Sequence, residues 1–412
     1  MIRLLQIIYI FLLVIITLKF FDARFIDKSL INSLLFVTLT GTIFLSLPFV
    51  FPRNSGFVLP VQLITASILF SIIMANISWE QNFKDSLIET TPYLLWMLFF
   101  YLLYIRIPIR ILENIIIIYG ILYIVLYFIQ LSNSHNVLFG KPISGGDEFT
   151  EQRGMTRIIF PGGGIFILSI FIALNKLTTK VKNLWFWLLI TCLGLLIPIL
   201  QVTRQFIAGI MLIYLYHFTQ SISLFKKTFL LLLFGGIVIT ASYVEHPILQ
   251  GLIETQERDA NLGENYIRVL AGNYFMTDFS PNTLSKIFGN GVPNWGISDY
   301  GIFVEILAHE QEYYLSDVGI IAVYAMFGII SILGYIIIWI KSFTIPLPKE
   351  YYYLKYYLWF LLFTSFTWFT VYHYHYMIST VFVLYIYQHL YEGQENYAKT
   401  IAEESKPFIV NN

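Results

Sequence analysis

The sequence predicts an all-α, polytopic integral membrane protein with about twelve transmembrane helices and one large loop on the outer side. Three observations predict it. Of 412 residues, 57% are apolar and only 12% charged, where a soluble domain carries about 25% charged residues. Apolar runs approaching the roughly 20 residues that a spanning helix needs recur along the whole chain. Only two polar segments, about 132–157 and 246–317, are too long to be simple turns, and loops of that length are usually functional. The formal net charge is zero, which points to no nucleic-acid partner. A single cysteine, Cys192, excludes an intrachain disulfide and a cysteine-based metal site.

The elements follow in order. The first apolar run, about 2–18, reads as a retained span, because Lys19-Phe20-Phe21-Asp22 follows it where a leader would show a small-x-small cleavage site. Further spans are expected at 31–51, 57–77, 92–108, 112–131, 158–175, 184–201, 205–219 and 228–245. The pair 184–201 and 205–219 is short, with only Val202-Thr203-Arg204 between its members. Residues 246–317 form the large loop. There Ile302, Phe303, Ile306 and Leu307 recur at helical spacing, with Glu305, His309 and Glu312 on another face. Spans at 318–341, 354–372 and 376–391 complete the set, and 392–412 is a polar cytoplasmic tail. Lys and Arg in short loops set orientation. Arg53, Arg106, Arg110, Lys176, Lys180, Lys182, Lys226, Lys227, Lys341 and Lys349 all fall on one side, which places both termini in the cytoplasm. The first outer loop, with Lys19, Arg24 and Lys28, breaks that trend.

Arginine is costly at membrane depth, so each one near the outer side needs a reason. Arg204, in "ILQVTRQFIAG", is placed to hold an anionic phosphate with Thr203 and Gln205 beside it. The alternative is an arginine that ends a span by reaching to the interface. Arg153 and Arg157 precede Pro161-Gly162-Gly163-Gly164. A helix starting there would aim backbone N–H groups at an anion, or its glycines would allow close helix packing. Arg268 either faces the same site or pairs with Glu264 one helical turn away. His309 is a candidate base, with Glu305 four residues before it to orient the ring. Asp317 is a second catalytic candidate, or a carboxylate that serves the start of the next helix. His373 and His375 line the same cavity or act as interfacial anchors. No metal site and no cofactor are expected.

These residues, in this order, resemble the O-antigen polymerase and O-antigen ligase superfamily of bacterial envelope polysaccharide assembly. The resemblance is carried by Arg157 before "FPGGG", by Thr203-Arg204 at a span end, by "IFGNGV" at 287–292, and by His309 ahead of "SDVGIIAVYAMFGI". It implies a metal-independent glycosyltransferase acting on undecaprenyl-pyrophosphate-linked glycans at the outer face of the cytoplasmic membrane. Arg157, Arg204 and Arg268 would hold the donor pyrophosphate, with His309 near the acceptor. A flippase and a chain-length regulator are the implied protein partners. In the ligase pattern an Asn, Ser or Gln follows the histidine directly; here Glu310 does, which favours polymerase over ligase. A transporter of the same lipid-linked sugars is the competing class, although such proteins commonly show repeats that this chain lacks.

Overall fold

A computed structural model describes residues 2–51, 55–142, 149, 151–152, 155–179, 182–201, 203–221, 257–258 and 260–404. The expected span at 228–245 and Arg153 lie outside the described residues. What is described is all-helical, apart from one small antiparallel pair, Glu151–Gln152 with Met155–Thr156. Among the described residues six helical segments are long and apolar enough to cross a membrane: Ile2–Asp22, Lys28–Phe49, Val58–Trp79, Phe83–Ile105, Ile109–Ser132 and Ile320–Thr344. The helices Gly163–Thr179 and Leu184–Leu200 are apolar but shorter. The sequence led us to expect twelve spans; six meet the length standard.

The surface chemistry fits a lipid solvent. Helix α1 spans Ile2–Thr17 and α2 spans Lys28–Ser46. On α2 a stripe of Ile31, Leu35, Leu39, Thr42 and Ser46 is buried, while Val37 and Phe44 are each 67% exposed. In water that outer face would be an association surface; against lipid tails it is simply solvated. The buried stripe includes two hydroxyls, Thr42 and Ser46, and Tyr9 on α1 bonds Thr42 across the contact at 2.6 Å.

Between α1 and α2 the chain makes an unusual turn. Lys19, Phe20, Phe21 and Asp22 have φ of 49°, 50°, 58° and 51°. Four consecutive non-glycine residues in the left-handed region cost roughly 1 kcal/mol or more each. Such a conformation persists only where surroundings over-determine it. Here the Phe21 side chain is buried against Phe160 and Tyr123, and Gly140 N–H donates to the Phe21 carbonyl at 3.1 Å.

Helix α3 spans Val58–Trp79. The following segment starts earlier than the apolar run suggested. Lys84, Asp85 and Glu89, expected in a loop, lie on α4 (Phe83–Thr90). A 3-10 stretch, Thr91–Met97, then leads into α5 (Leu98–Ile105). Pro92 at the start of that stretch lacks an N–H and so interrupts the regular bonding.

Helices α6 (Ile109–Ser132) and α7 (Gly163–Thr179) carry a buried ion pair. Lys176, expected in a loop, is on α7 with its Nζ 2.9 Å from Glu113 Oε2, the two side chains 11% and 10% exposed. Tyr353 Oη donates to the other Glu113 oxygen at 2.8 Å. Removing one member of such a pair strands the other, so Glu113→Ala is expected to cost about 3–5 kcal/mol. The double change Glu113→Leu with Lys176→Met is expected to cost far less. Folded fraction after heating, measured by gel filtration in detergent, checks both.

The pair α8 (Leu184–Leu200) and α9 (Arg204–Ser221) forms a tight hairpin. Beyond the undescribed stretch lie three short helices: α10 (Ile267–Thr277), α11 (Thr283–Phe288) and α12 (Asp299–Glu310). On α12 the buried face is Tyr300, Val304, Leu307 and Ala308, while Ile302 and Ile306 stay 42% and 46% exposed. Helices α13 (Ile320–Thr344), α14 (Tyr352–Thr364) and α15 (Tyr374–Glu404) follow. Helix α13 is broken at Gly328 (φ 76°, ψ −178°). The strap Gly289–Gly291 fills the break: Asn290 N–H donates to the Ala325 carbonyl and Gly291 N–H to the Met326 carbonyl, at 3.0 and 2.8 Å. Ser67 Oγ on α3 donates to the Phe327 carbonyl. Broken backbone at membrane depth needs such protein donors.

Candidate functional site

The ends of α1 and α6 and the starts of α7, α9, α13 and α15 gather at one end of the helices, around a cavity of about 520 Å³. Three arginines line it: Arg157 ahead of α7, Arg204 as the first residue of α9, and Arg268 as the second residue of α10. They are separated by 47 and 64 positions in the chain, and the fold brings them to one space.

The local sequence explains each placement. Pro161 and Gly162 (φ 115°) turn the chain into α7, whose first helical bond runs from Phe166 N–H to the Gly162 carbonyl at 2.9 Å. A Cβ on Gly164 would lie 2.7 Å from Tyr376 Cα, so glycine lets the start of α7 press against α15. Close packing is therefore one role of the glycine run, and Gly162 and Gly163 also line the cavity. At α9 the Thr203 carbonyl accepts the Phe206 and Ile207 amides at 3.0 and 3.1 Å. Thr203, Arg204 and Gln205 all face the cavity. Two helix starts thus offer their first amides and positive dipole ends to one space.

Buried Gln201 ties these walls together. Its Nε2 donates to Tyr123 Oη at 3.1 Å and to the Ile158 carbonyl at 3.0 Å. That links the α8–α9 hairpin to α6 and to the strand of chain beside Arg157. Gln205 Oε1 is buried with no hydrogen-bond partner.

Asp317 also lines the cavity, in the 3-10 turn Leu315–Asp317, with Oδ2 3.4 Å from an Arg268 terminal nitrogen. The start of α13 lies beyond it, where the Ile320 amide donates to the Ser365 carbonyl. Arg268 therefore pairs with Asp317 rather than Glu264. His309 is elsewhere. It is not among the lining residues, its side chain is 73% exposed, and its Nε2 stands 3.9 Å from Glu305 Oε1, beyond hydrogen-bond reach.

The cavity also contains groups that sequence reasoning passed over or underweighted: Lys141, Asp22, Tyr123, Gln201 and the histidines His373 and His375. His375 Nδ1 donates to the Thr17 carbonyl at 3.2 Å. The His373 ring lies 4.5 Å from that of His375, and its Nδ1 is buried without a partner. Burial, with the Lys19 charge nearby, pushes the His373 imidazole down to about 3, so it is neutral near pH 7. The visible signal was the spacing His-x-His in the turn ahead of the last span.

Chemically, the space combines guanidinium groups, two helix starts, one carboxylate held by an arginine, and a neutral imidazole. That set suits a multiply charged anion next to a proton acceptor. Among the described residues no group of three or more His, Cys, Asp or Glu side chains has the geometry to hold a metal ion. No family model, no curated protein and no solved structure matches this chain.

Proposed function

We propose that the protein polymerises undecaprenyl-pyrophosphate-linked oligosaccharide units at the outer face of a bacterial cytoplasmic membrane. The observation that carries the reading is the meeting of Arg157, Arg204 and Arg268 in one cavity with the starts of α7 and α9. A lipid diphosphate is the ligand such a site suits. We count α7, α8, α9, α14, α15 and the 228–245 segment with the six longer helices, which gives twelve spans and puts both termini on the cytoplasmic side. Arg106, Arg110, Lys341 and Lys349 then lie on that side, as the charge bias in short loops requires.

In this reading the acceptor hydroxyl oxygen attacks the anomeric carbon of the donor. The carbon–oxygen bond to the diphosphate breaks, and the departing diphosphate keeps the electron pair. Arginine charge and helix-start amides stabilise that developing charge, so positioning and electrostatics do most of the work. The hydroxyl proton passes to a base in the cavity. We assign that task to His373, since Asp317 is held by Arg268 and His309 stands outside. Burial and Lys19 weaken this imidazole as a base, and a diphosphate bound beside it raises its proton affinity. Attack opposite the leaving group inverts the anomeric centre.

His373→Gln is expected to lower the transfer rate roughly 100-fold, while His309→Ala changes it little. Initial rates with purified protein check this, and a fully active His373→Gln variant would sink the assignment. The function itself is tested by incubating the purified protein with two lipid-linked oligosaccharides. Longer lipid-linked products support polymerase. Product on a terminal acceptor means ligase, and no covalent product means a transporter or another role.

A further inference from the structure

A second, smaller cavity of about 190 Å³ adjoins the first, and Asp22 and Lys141 line both. Arg24, Lys28 and Lys141 supply its positive charge. Lys141, Lys19 and Lys28 all act electrostatically on the Asp22 carboxylate. Four cations therefore share this corner with Asp22, while Asp27 is turned to the Ser29 amide as the cap of α2. Three of them, Lys19, Arg24 and Lys28, are the charges that break the orientation bias of the short loops, so they need a reason other than topology.

The corner is also built with care. The left-handed turn Lys19–Asp22 forms its rim, held by Phe21 beneath and by the Gly140 amide on the Phe21 carbonyl. Arg24 N–H donates to the Leu138 carbonyl at 3.0 Å, which fixes the next stretch to the same segment as Lys141. Lys19 Nζ lies 5.3 Å above the Tyr374 ring, beside His373. Strained backbone of this kind collects at ligand sites.

We propose that the smaller cavity is a second lipid-phosphate subsite, which holds the diphosphate of the acceptor while the arginine-lined cavity holds that of the donor. The inference rests on the polymerase reading and deepens it. Joining two lipid-linked units brings two membrane-anchored diphosphates to one protein. Only the donor's is at the reacting carbon; the acceptor's, a repeat unit away from the attacking hydroxyl, needs a seat of its own at the same membrane level. Two such anions repel unless each has its own cations. A cationic corner continuous with the arginine cavity supplies the second set.

The test uses full-length protein in phosphatidylcholine nanodiscs, with Arg24→Gln/Lys28→Gln beside Arg204→Ala. Undecaprenyl pyrophosphate without sugar is titrated and bound equivalents are counted by native mass spectrometry. About two equivalents per chain are expected for the wild type and about one for either variant. A single equivalent in the wild type, or two in Arg24→Gln/Lys28→Gln, overturns the proposal whether or not the protein makes polymer. Phosphatidylglycerol in the nanodisc is expected to leave the second equivalent in place. If it displaces that equivalent, the corner is a structural phospholipid site and the proposal falls. Where transfer is observed, the double variant is expected to raise the KM for acceptor roughly tenfold and leave the donor KM nearly constant. An equal rise in both also overturns it. Absence of transfer in wild type, with two equivalents still bound, would refute the polymerase reading alone.

Discussion

Arg204→Ala is expected to lower glycan transfer roughly 100- to 1,000-fold, the scale on which removal of one preorganised charge-stabilising donor acts. Arg204 opens α9 in the wall of the cavity, where the helix start adds its own positive dipole end. The side chain and the backbone then address the same anion. Arg204→Lys keeps the charge but loses the planar fork, so a loss of roughly tenfold is expected. Neither change should disturb folding greatly, because the helix is started by the Thr203 carbonyl and not by the arginine. Transfer rates with purified protein, and glycan ladders from cells, measure the effect. Normal-length polymer from correctly inserted Arg204→Ala protein would remove the residue from the site.

Gly328→Ala is expected to be the most damaging small substitution to the fold, costing about 3 kcal/mol or more. Its φ of 76° is a conformation that an L side chain adopts only under strain. A Cβ there would also stand 2.2 Å from the Ile287 carbonyl oxygen and 2.5 Å from the Gly289 nitrogen. Backbone cannot yield as a flexible side chain does, so the strap or the helix must move. Gly41→Ala is the matched control: a Cβ there meets nothing within 4 Å, and the site lies inside α2. It is expected to be neutral or slightly stabilising. Thermal loss of the monodisperse peak separates the two variants, and equal stability would refute the packing argument.

Much of the helical layout was legible because a bilayer demands long apolar runs, and those runs need no alignment to be seen. Arg157 and Arg204 were legible for the same reason: a guanidinium beside an apolar run is expensive and stands out. Other features left no such mark. In lipid both faces of a helix are apolar, so periodicity does not say which side is inside. On α3, Ile64 and Ile68 are buried while Leu69 and Ile73 are exposed, and the sequence treats them alike. On α12 the expected apolar set divides: Leu307 is buried and Phe303 packs against the core, while Ile302 and Ile306 look outward. The Arg268–Asp317 pair joins residues 49 positions apart; local spacing offered only Glu264 as a partner and left open whether Arg268 faced the site instead. The left-handed turn at Lys19–Asp22 carries no glycine to announce it. For His373 the sequence left cavity lining and interfacial anchoring open, since only the fold shows which residues surround it.

The strap at Gly289–Gly291 limits how the loop region can move. Its amides satisfy carbonyls that the break in α13 would otherwise leave bare in hydrocarbon, at several kcal/mol each. Asn290 Nδ2 extends the attachment to Ser280 Oγ at 2.9 Å. The region is thus riveted at its midpoint to the helical frame and cannot swing aside as one flap. Widening of the arginine chamber on this side has to begin upstream of Ser280, with α10 and its Arg268 leaving Asp317 behind. Two of the guanidinium groups would then be stationary and the third a moving jaw, so the chamber would open and close from a single direction.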